Sequence, residues 1–419
     1  MMRRLRLDPR TFAALAHGGG GAAALAELRH AKLNEHLLLL RHLVHRFGRS
    51  PEFEALCVAQ KAAPEVVSEL LAHPWNGAWL ANAVRDEAPE RFTSRLGAVA
   101  LVAAMRAGTP ARVEVPASGG AVMLPDTGAV ALRREHVTSV RASVAGERVS
   151  LDDVPLGTLD LQPLRRISVS HGGRTLHAVL DDLDPQRDCH RHPLAGRLTG
   201  AEVESWRALL HDAWRLLVRH APDLAAEIGA DALVLVPLHR AAIGREVSVT
   251  STDVFGAFGL TMPAFAPALA ANLVHELQHS KLNVMLRLRP AIRGDETRRY
   301  FAPWRNDPRP ITGLLHGIYA FVGVATMWRR FHAANAVEAA DYQFALLREQ
   351  LRLAVVAARG CGLLTTDGRA LVAALSEAVE EMLADPLPPA VVRRAGRNVR
   401  RDRLRWALRN RSTASVRWS

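Results

Sequence analysis

A chain of 419 residues is long enough for one large enzyme domain or two to three ordinary ones. With 49% hydrophobic and 23% charged residues, it reads as a soluble globular protein rather than a disordered one. Its net charge of +12 is uneven: residues 393–417 hold ten arginines against Asp402, a net +9.

Cys57, Cys189 and Cys361 are too few and too scattered for a disulfide framework, which favours a cytoplasmic setting. "MMRRLRLDPRTF" is basic but no apolar core follows it, so it does not read as a secretory signal. Arg, His or Glu interrupts every apolar run before 18 residues, so no membrane span is expected.

Residues 1–110 read as a helical N-terminal lobe, from stretches such as "GAAALAELRHAKLNEHLLLLRHLVHRF" and "RLGAVALVAAMRAG". Glycines 18–21 form a flexible break. His17, His30, His36, His42 and His45 lack ligand spacing and belong at the surface or core edge. Residues 111–184 alternate in short runs between Gly, Pro and Asp, a β-rich insert with "HGGR" as a hairpin turn.

Residues 185–392 form a helical catalytic lobe. Thr199 and Glu202 make a capping box for its first helix. "ALVLVPL" and "REVSVTST" read as strands, and "DVFGAFGLTMPAF" leads into a helix over 268–288. Residues 393–419 are a basic tail, read as a solvated helix docked by Leu404, Trp406 and Leu408, with no nucleic-acid partner expected. The fold class is α+β, mainly helical.

The 268–288 helix carries His275-Glu276-Leu277-Gln278-His279. Imidazoles four apart share one helix face and can reach one cation at about 2.0–2.1 Å. Glu276 lies about 100° round, close enough to address a metal-bound water. Chance supplies on the order of 0.04 such motifs in a chain of this histidine content, so the match carries information.

Two histidines need a third ligand. No histidine stands six residues after His279, against a metzincin. His316, on the apolar stretch 311–332, is favoured, with Glu338, Glu349 and Glu276 behind it. Seven arginines lie between Arg287 and Arg309, and Pro303, Pro308 and Pro310 stiffen the backbone around Arg305 and Arg309. Their guanidinium forks suit a carboxylate. Lys281 points to the other side of the helix. Cys189, His190 and His192 lack the separated pairs of a zinc module and read as a loop over the active region.

At "HELQHSKLN" and "YFAPWRNDPRPITGLLHGIYAFVGVATMWRR", the chain resembles the HExxH peptide-modification family. The likeness includes "DCHRHPLAGRLTGAEVESWRALL" and "FGAFGLTM", over about residues 180–410. Such proteins accompany gene clusters for ribosomally made peptides, free-standing or fused to radical-SAM maturases. Members are assigned to iron(II)- and α-ketoglutarate-dependent β-hydroxylation of a precursor-peptide side chain. The resemblance implies His275 and His279 as iron ligands with His316 as the third. It further implies Arg305 or Arg309 on the co-substrate (2-oxoglutarate) carboxylate, and other maturation enzymes as partners. Glu276 would orient a ligand or bound water, or be a ligand itself.

The ligand set alone does not choose the chemistry. Three protein ligands leave three positions on an octahedral ion, for a chelating co-substrate and oxygen, but one on tetrahedral Zn(II). A zinc peptidase of the gluzincin type would use Glu276 as general base, a downstream glutamate ligand, and Tyr300 or Tyr319 as electrophile. A non-enzymatic peptide carrier with a vestigial site is disfavoured by the intact motif. The arginine-rich loop tips the balance toward an anionic co-substrate.

Overall fold

The structure, a computed structural model, describes residues 7–410 apart from 87, 88, 135 and 189, and the backbone alone at 86, 89–91 and 94. The fold is α+β and mainly helical. It begins with α1 (Pro9–Ala16), α2 (Gly21–Phe47), α3 (Pro51–Ala62), α4 (Pro64–Ala72), α5 (Pro74–Asp86) and α6 (Pro89–Ala107). Proline opens all of these but α2, where its missing N–H costs nothing and its fixed φ suits the first turn.

Strands follow: β1 (Ala111–Pro116), β2 (Ala121–Leu124), β3 (Gly128–Ala131), β4 (Ser139–Ala145), β5 (Arg148–Leu151), β6 (Val154–Pro155) and β7 (Leu161–Pro163). They make two small antiparallel sheets, β1-β4-β5-β6 and β2-β3-β7. Next come β8 (Arg165–His171) and β9 (Arg174–Leu180), joined at Gly172 and Gly173, both with positive φ as a tight hairpin requires.

The remaining elements are α7 (Gly200–His220), α8 (Pro222–Ile228), β10 (Leu233–Pro237), α9 (Arg240–Ile243), β11 (Ser248–Val249) and β12 (Ala257–Leu260). The last helices are α10 (Ala266–Leu288), α11 (Ile311–Ala333), α12 (Ala340–Arg359), α13 (Thr366–Ala384) and α14 (Pro389–Arg409). The expected capping box opens α7: Thr199 N–H donates to Glu202 at 2.7 Å.

A five-stranded sheet in the order β11-β12-β10-β9-β8 underlies α7 and α10, with β10 parallel to both neighbours. Every residue of β10 is buried, which explains its unbroken apolar run. The strand expected at "REVSVTST" condenses to Ser248 and Val249, and β12 lies in the stretch read only as a lead-in to α10.

Hydrophobic burial divides the chain differently from its sequence blocks. One core joins α1 and the first half of α2 to β8, β9, α7, α8 and α10 to α13. A second runs from Leu40 to Leu151. Residues 165–180 therefore belong with the lobe that begins at α7 rather than with the β-rich insert, because their inward side chains face α7. The glycine break is pinned, not loose: the Gly18 carbonyl accepts from Gln278 Nε2 at 2.7 Å and Lys281 Nζ at 2.9 Å. His36 is fully buried; the other four N-terminal histidines are exposed, as expected.

The basic tail is not a separate unit. α14 starts at Pro389, before the expected boundary, and docks through Ala395, Val399 and Trp406. Leu404 and Leu408 face solvent, since neither shares that face. Residues 411–419 lie outside the described residues. α11 is long and apolar enough, by length and composition, to cross a membrane, and it is mostly buried in the fold.

Candidate metal centre

α10 is buried around most of its circumference, against α7 and α11. Its polar stripe is His275, His279 and Asn283, four residues apart, and it faces a cavity of about 640 Å³. α11 faces the same cavity with Thr312, His316, Gly317 and Phe321, and the intervening loop adds Trp304, Arg305 and Arg309. All six expected residues, His275, Glu276, His279, His316, Arg305 and Arg309, line this one space. They converge because α10, the loop and α11 are consecutive, folded back as a helical hairpin.

His275 and His279 bring their Nε2 atoms within 3.1 Å. Ligands about 2.1 Å from one cation lie about 3.0 Å apart across an octahedral edge and about 3.4 Å across a tetrahedral one, so the pair fits either. The His316 ring stacks on His279 with centres 5.7 Å apart. Phe321 packs against His275 at 4.7 Å and Trp304 at 4.8 Å, closing the apolar wall.

Burial holds His275 below the ordinary histidine value, against a raising pull from Glu276. His279 lies well below it, through burial and then the nearby His275 and His316. Burial, then the Arg309 charge, pushes His316 down to about 4, opposed by Glu296. All three rings are therefore neutral at physiological pH, with lone pairs to offer a cation.

Glu276 is almost fully buried. Its Oε2 accepts from Thr250 Oγ1 at 2.7 Å, and its Oε1 has no hydrogen-bond partner among the described residues. A carboxylate oxygen without a donor, on the cavity that also holds two converged imidazole nitrogens, is what a transition-metal cation or its bound water would satisfy. The donor set fits such a group. Among the described residues, no three His, Cys, Asp or Glu side chains are already closed around one point, so His316 stands as a neighbour of the pair.

Arg305 Nε and Arg309 Nη1 each donate to Asp307 at 3.0 Å. Burial would raise the Asp307 carboxyl, but the hydrogen bonds from Arg309 and Arg305 prevail and hold it low. Each guanidinium keeps N–H groups unused by Asp307. The loop is anchored twice. Glu296 accepts from the Thr312 N–H (2.8 Å) and hydroxyl (2.6 Å) in the first turn of α11. α14 holds Asn306 through Arg409 (3.0 Å) and Asn410 (3.1 Å), with Trp406 edge-on to Phe301 at 5.2 Å.

The other candidates are placed elsewhere. Lys281 is fully buried on the far side of α10, 2.8 Å from Glu227. Tyr319 donates to the Leu15 carbonyl at 2.7 Å, and Tyr300 lies beneath Arg298; neither lines the cavity. Glu338 is exposed and Glu349 pairs with Arg352 at 3.1 Å, so neither reaches the histidines. Cys189 lies outside the described residues, while His190 and His192 line the cavity, the loop position expected for that segment.

No protein-family model matches the chain, and no curated protein matches it. Sequence reasoning missed Thr250, which holds Glu276, and Arg245 at the cavity rim. Thr250 lies 26 residues before Glu276 and is brought there by sheet topology, for which no local pattern exists.

Proposed function

We propose that this protein is an iron(II)- and 2-oxoglutarate-dependent peptide hydroxylase that modifies a side chain of a ribosomally made precursor peptide. The observation that carries the reading is the single cavity shared by the converged His275–His279 pair, His316, Arg305 and Arg309. Iron with 2-oxoglutarate supplies oxygen activation when bound. The chain's part is to hold the cation with His275 and His279, completed by His316. Arg305 or Arg309 anchors the co-substrate's distal carboxylate through the N–H groups Asp307 leaves unused. Glu276, fixed by Thr250, orients a ligand or bound water. Phe321 and Trp304 exclude bulk water from one wall.

Anaerobic loading with Fe(II) and 2-oxoglutarate followed by oxygen should yield succinate and a peptide heavier by one oxygen atom. His316→Ala should lose metal; normal iron content in that variant removes it as a ligand. Arg305→Ala and Arg309→Ala, made singly, should raise the co-substrate requirement at one position.

One observation favours a second reading. The free Oε1 of Glu276 suits a general base in a zinc peptidase. That reading lacks its downstream glutamate and electrophilic tyrosine at the cavity. Peptide cleavage with Zn(II) and no co-substrate would establish it.

A further inference from the structure

We infer that the open edge of β11 docks the substrate as an added strand, and that the docked segment carries an acidic side chain. The inference rests on the peptide-hydroxylase reading for its substrate class, but its geometry is independent of the metal.

β11 ends the five-stranded sheet, so one of its sides has no strand beside it among the described residues. Ser248 stands opposite Leu260 and Val249 opposite Gly259 in the antiparallel pair. The Thr261 N–H donates to the Val247 carbonyl at 3.0 Å. Antiparallel bonding alternates, so residues 247 and 249 bond β12 while 248 and 250 turn their backbone groups outward. The Thr250 carbonyl on that side is occupied by His190 Nε2 at 3.0 Å. Among the described residues, nothing occupies the outward N–H and C=O of Ser248.

This open edge is continuous with the candidate centre. Val247, Ser248, Val249 and Thr250 all line the cavity, and the Thr250 hydroxyl bonds Glu276. An extended segment pairing with Ser248 would run into the space between β11 and His275, with alternate side chains pointing into it.

Charge selects the occupant. The acids lining the cavity are Glu276, held by Thr250, and Glu246, which lies 3.3 Å from Arg240. Arg305 and Arg309 share Asp307, but Arg245 has no ion pair among the described residues. Arg245 is three residues from Ser248, up to about 10 Å along an extended chain. A carboxylate in that register of the docked segment would meet it.

The test pans phage-displayed random dodecapeptides on the full-length protein, then measures the enriched peptides by fluorescence anisotropy. We expect Asp or Glu at a fixed position in the selected set. Ser248→Pro should weaken binding about tenfold or more by deleting one outward hydrogen bond and crowding the edge. That proline removes no bond to β12, so the melting point should hold. N-methylation of alternate peptide amides gives a control without altering the protein. Arg245→Ala should weaken acidic peptides and leave their Asn or Gln counterparts unchanged.

Absence of enrichment, binding indifferent to Ser248→Pro and to N-methylation, or selection of amphipathic helical peptides seated elsewhere would overturn the inference. His275→Ala should retain peptide binding. Docking that survives when the iron-loaded protein forms no succinate would sink the hydroxylase reading and leave the edge assignment standing.

Discussion

The indole of Trp304 lies directly on Gly317, the residue after His316: a Cβ at 317 would stand 2.3 Å from Cζ2 and 2.4 Å from Nε1. The loop carrying Arg305 therefore seats on α11 at a place where a side chain would push it off. Gly317→Ala should displace Trp304 and the adjoining arginine, at an overpacking cost of about 1–3 kcal/mol. The expected result is a lower melting point and, on the proposed hydroxylase function, a co-substrate requirement raised about tenfold or more with iron content retained. An unchanged requirement would separate Trp304 from arginine positioning.

Thr250 holds the motif glutamate from the residue that follows β11 rather than from a neighbouring helix. Thr250→Val keeps the shape but removes the only donor found for the Glu276 carboxylate among the described residues. Leaving that buried group unpaired should cost about 1–3 kcal/mol. Thr250→Ser should restore both stability and turnover. Chemical denaturation of the three proteins checks the first effect and, on the proposed hydroxylase function, succinate release the second.

How much of this was legible in the sequence follows from how local each relationship is. The His275–His279 pair sits four residues apart on one helix, so spacing alone placed both rings on one face. His316, Arg305 and Arg309 were within reach of inference because loop and helix follow directly in the chain. Thr250–Glu276 and Lys281–Glu227 cross the fold by topology, and no pattern within either segment marks them. The β8–β9 hairpin was visible as a hairpin, but its allegiance to the β10 sheet was not, since alternation states which face is buried without naming what covers it. The tail's leucines misled for a related reason. Leu404 and Leu408 share a helical face, yet the docked face is that of Ala395, Val399 and Trp406.

Lys281 and Glu227 form a sealed ion pair that also fastens the N-terminal glycine turn. Lys281 Nζ reaches the Gly18 carbonyl, and the other Glu227 oxygen accepts from the Gly21 N–H at 2.8 Å. Burial lowers the lysine's pKa, opposed by Glu227. Lys281→Met should cost about 3–5 kcal/mol, because it strands a buried carboxylate. Adding Glu227→Gln should recover much of that loss. A double-mutant cycle on the metal-free protein measures the coupling, and additive losses would show that the pair contributes nothing jointly.

Acid should weaken the second core through two histidines. Burial, joined by the Lys32 charge and opposed by the Leu71 carbonyl and Asp253, pushes His36 down to about 4. Its ring sits on Gly77, where a Cβ would lie 2.1 Å from Nε2, so it has no room to turn toward water. Burial also pushes His73 to about 4; Asp126 and Asp184 act to raise it, Arg95 and Arg106 to lower it, and both ring nitrogens are sealed without a partner. Since each folded value lies below the unfolded one of about 6.5, the unfolded chain binds more protons as pH falls. The stability these rings contribute is complete above pH ~6.5 and declines as pH drops toward 4, by about 2 kcal/mol per histidine at pH 5. Urea denaturation at pH 7 and pH 5 should show that decline, and His73→Phe should reduce its slope with pH by about half. A slope unchanged in that variant would assign the acid sensitivity to other groups.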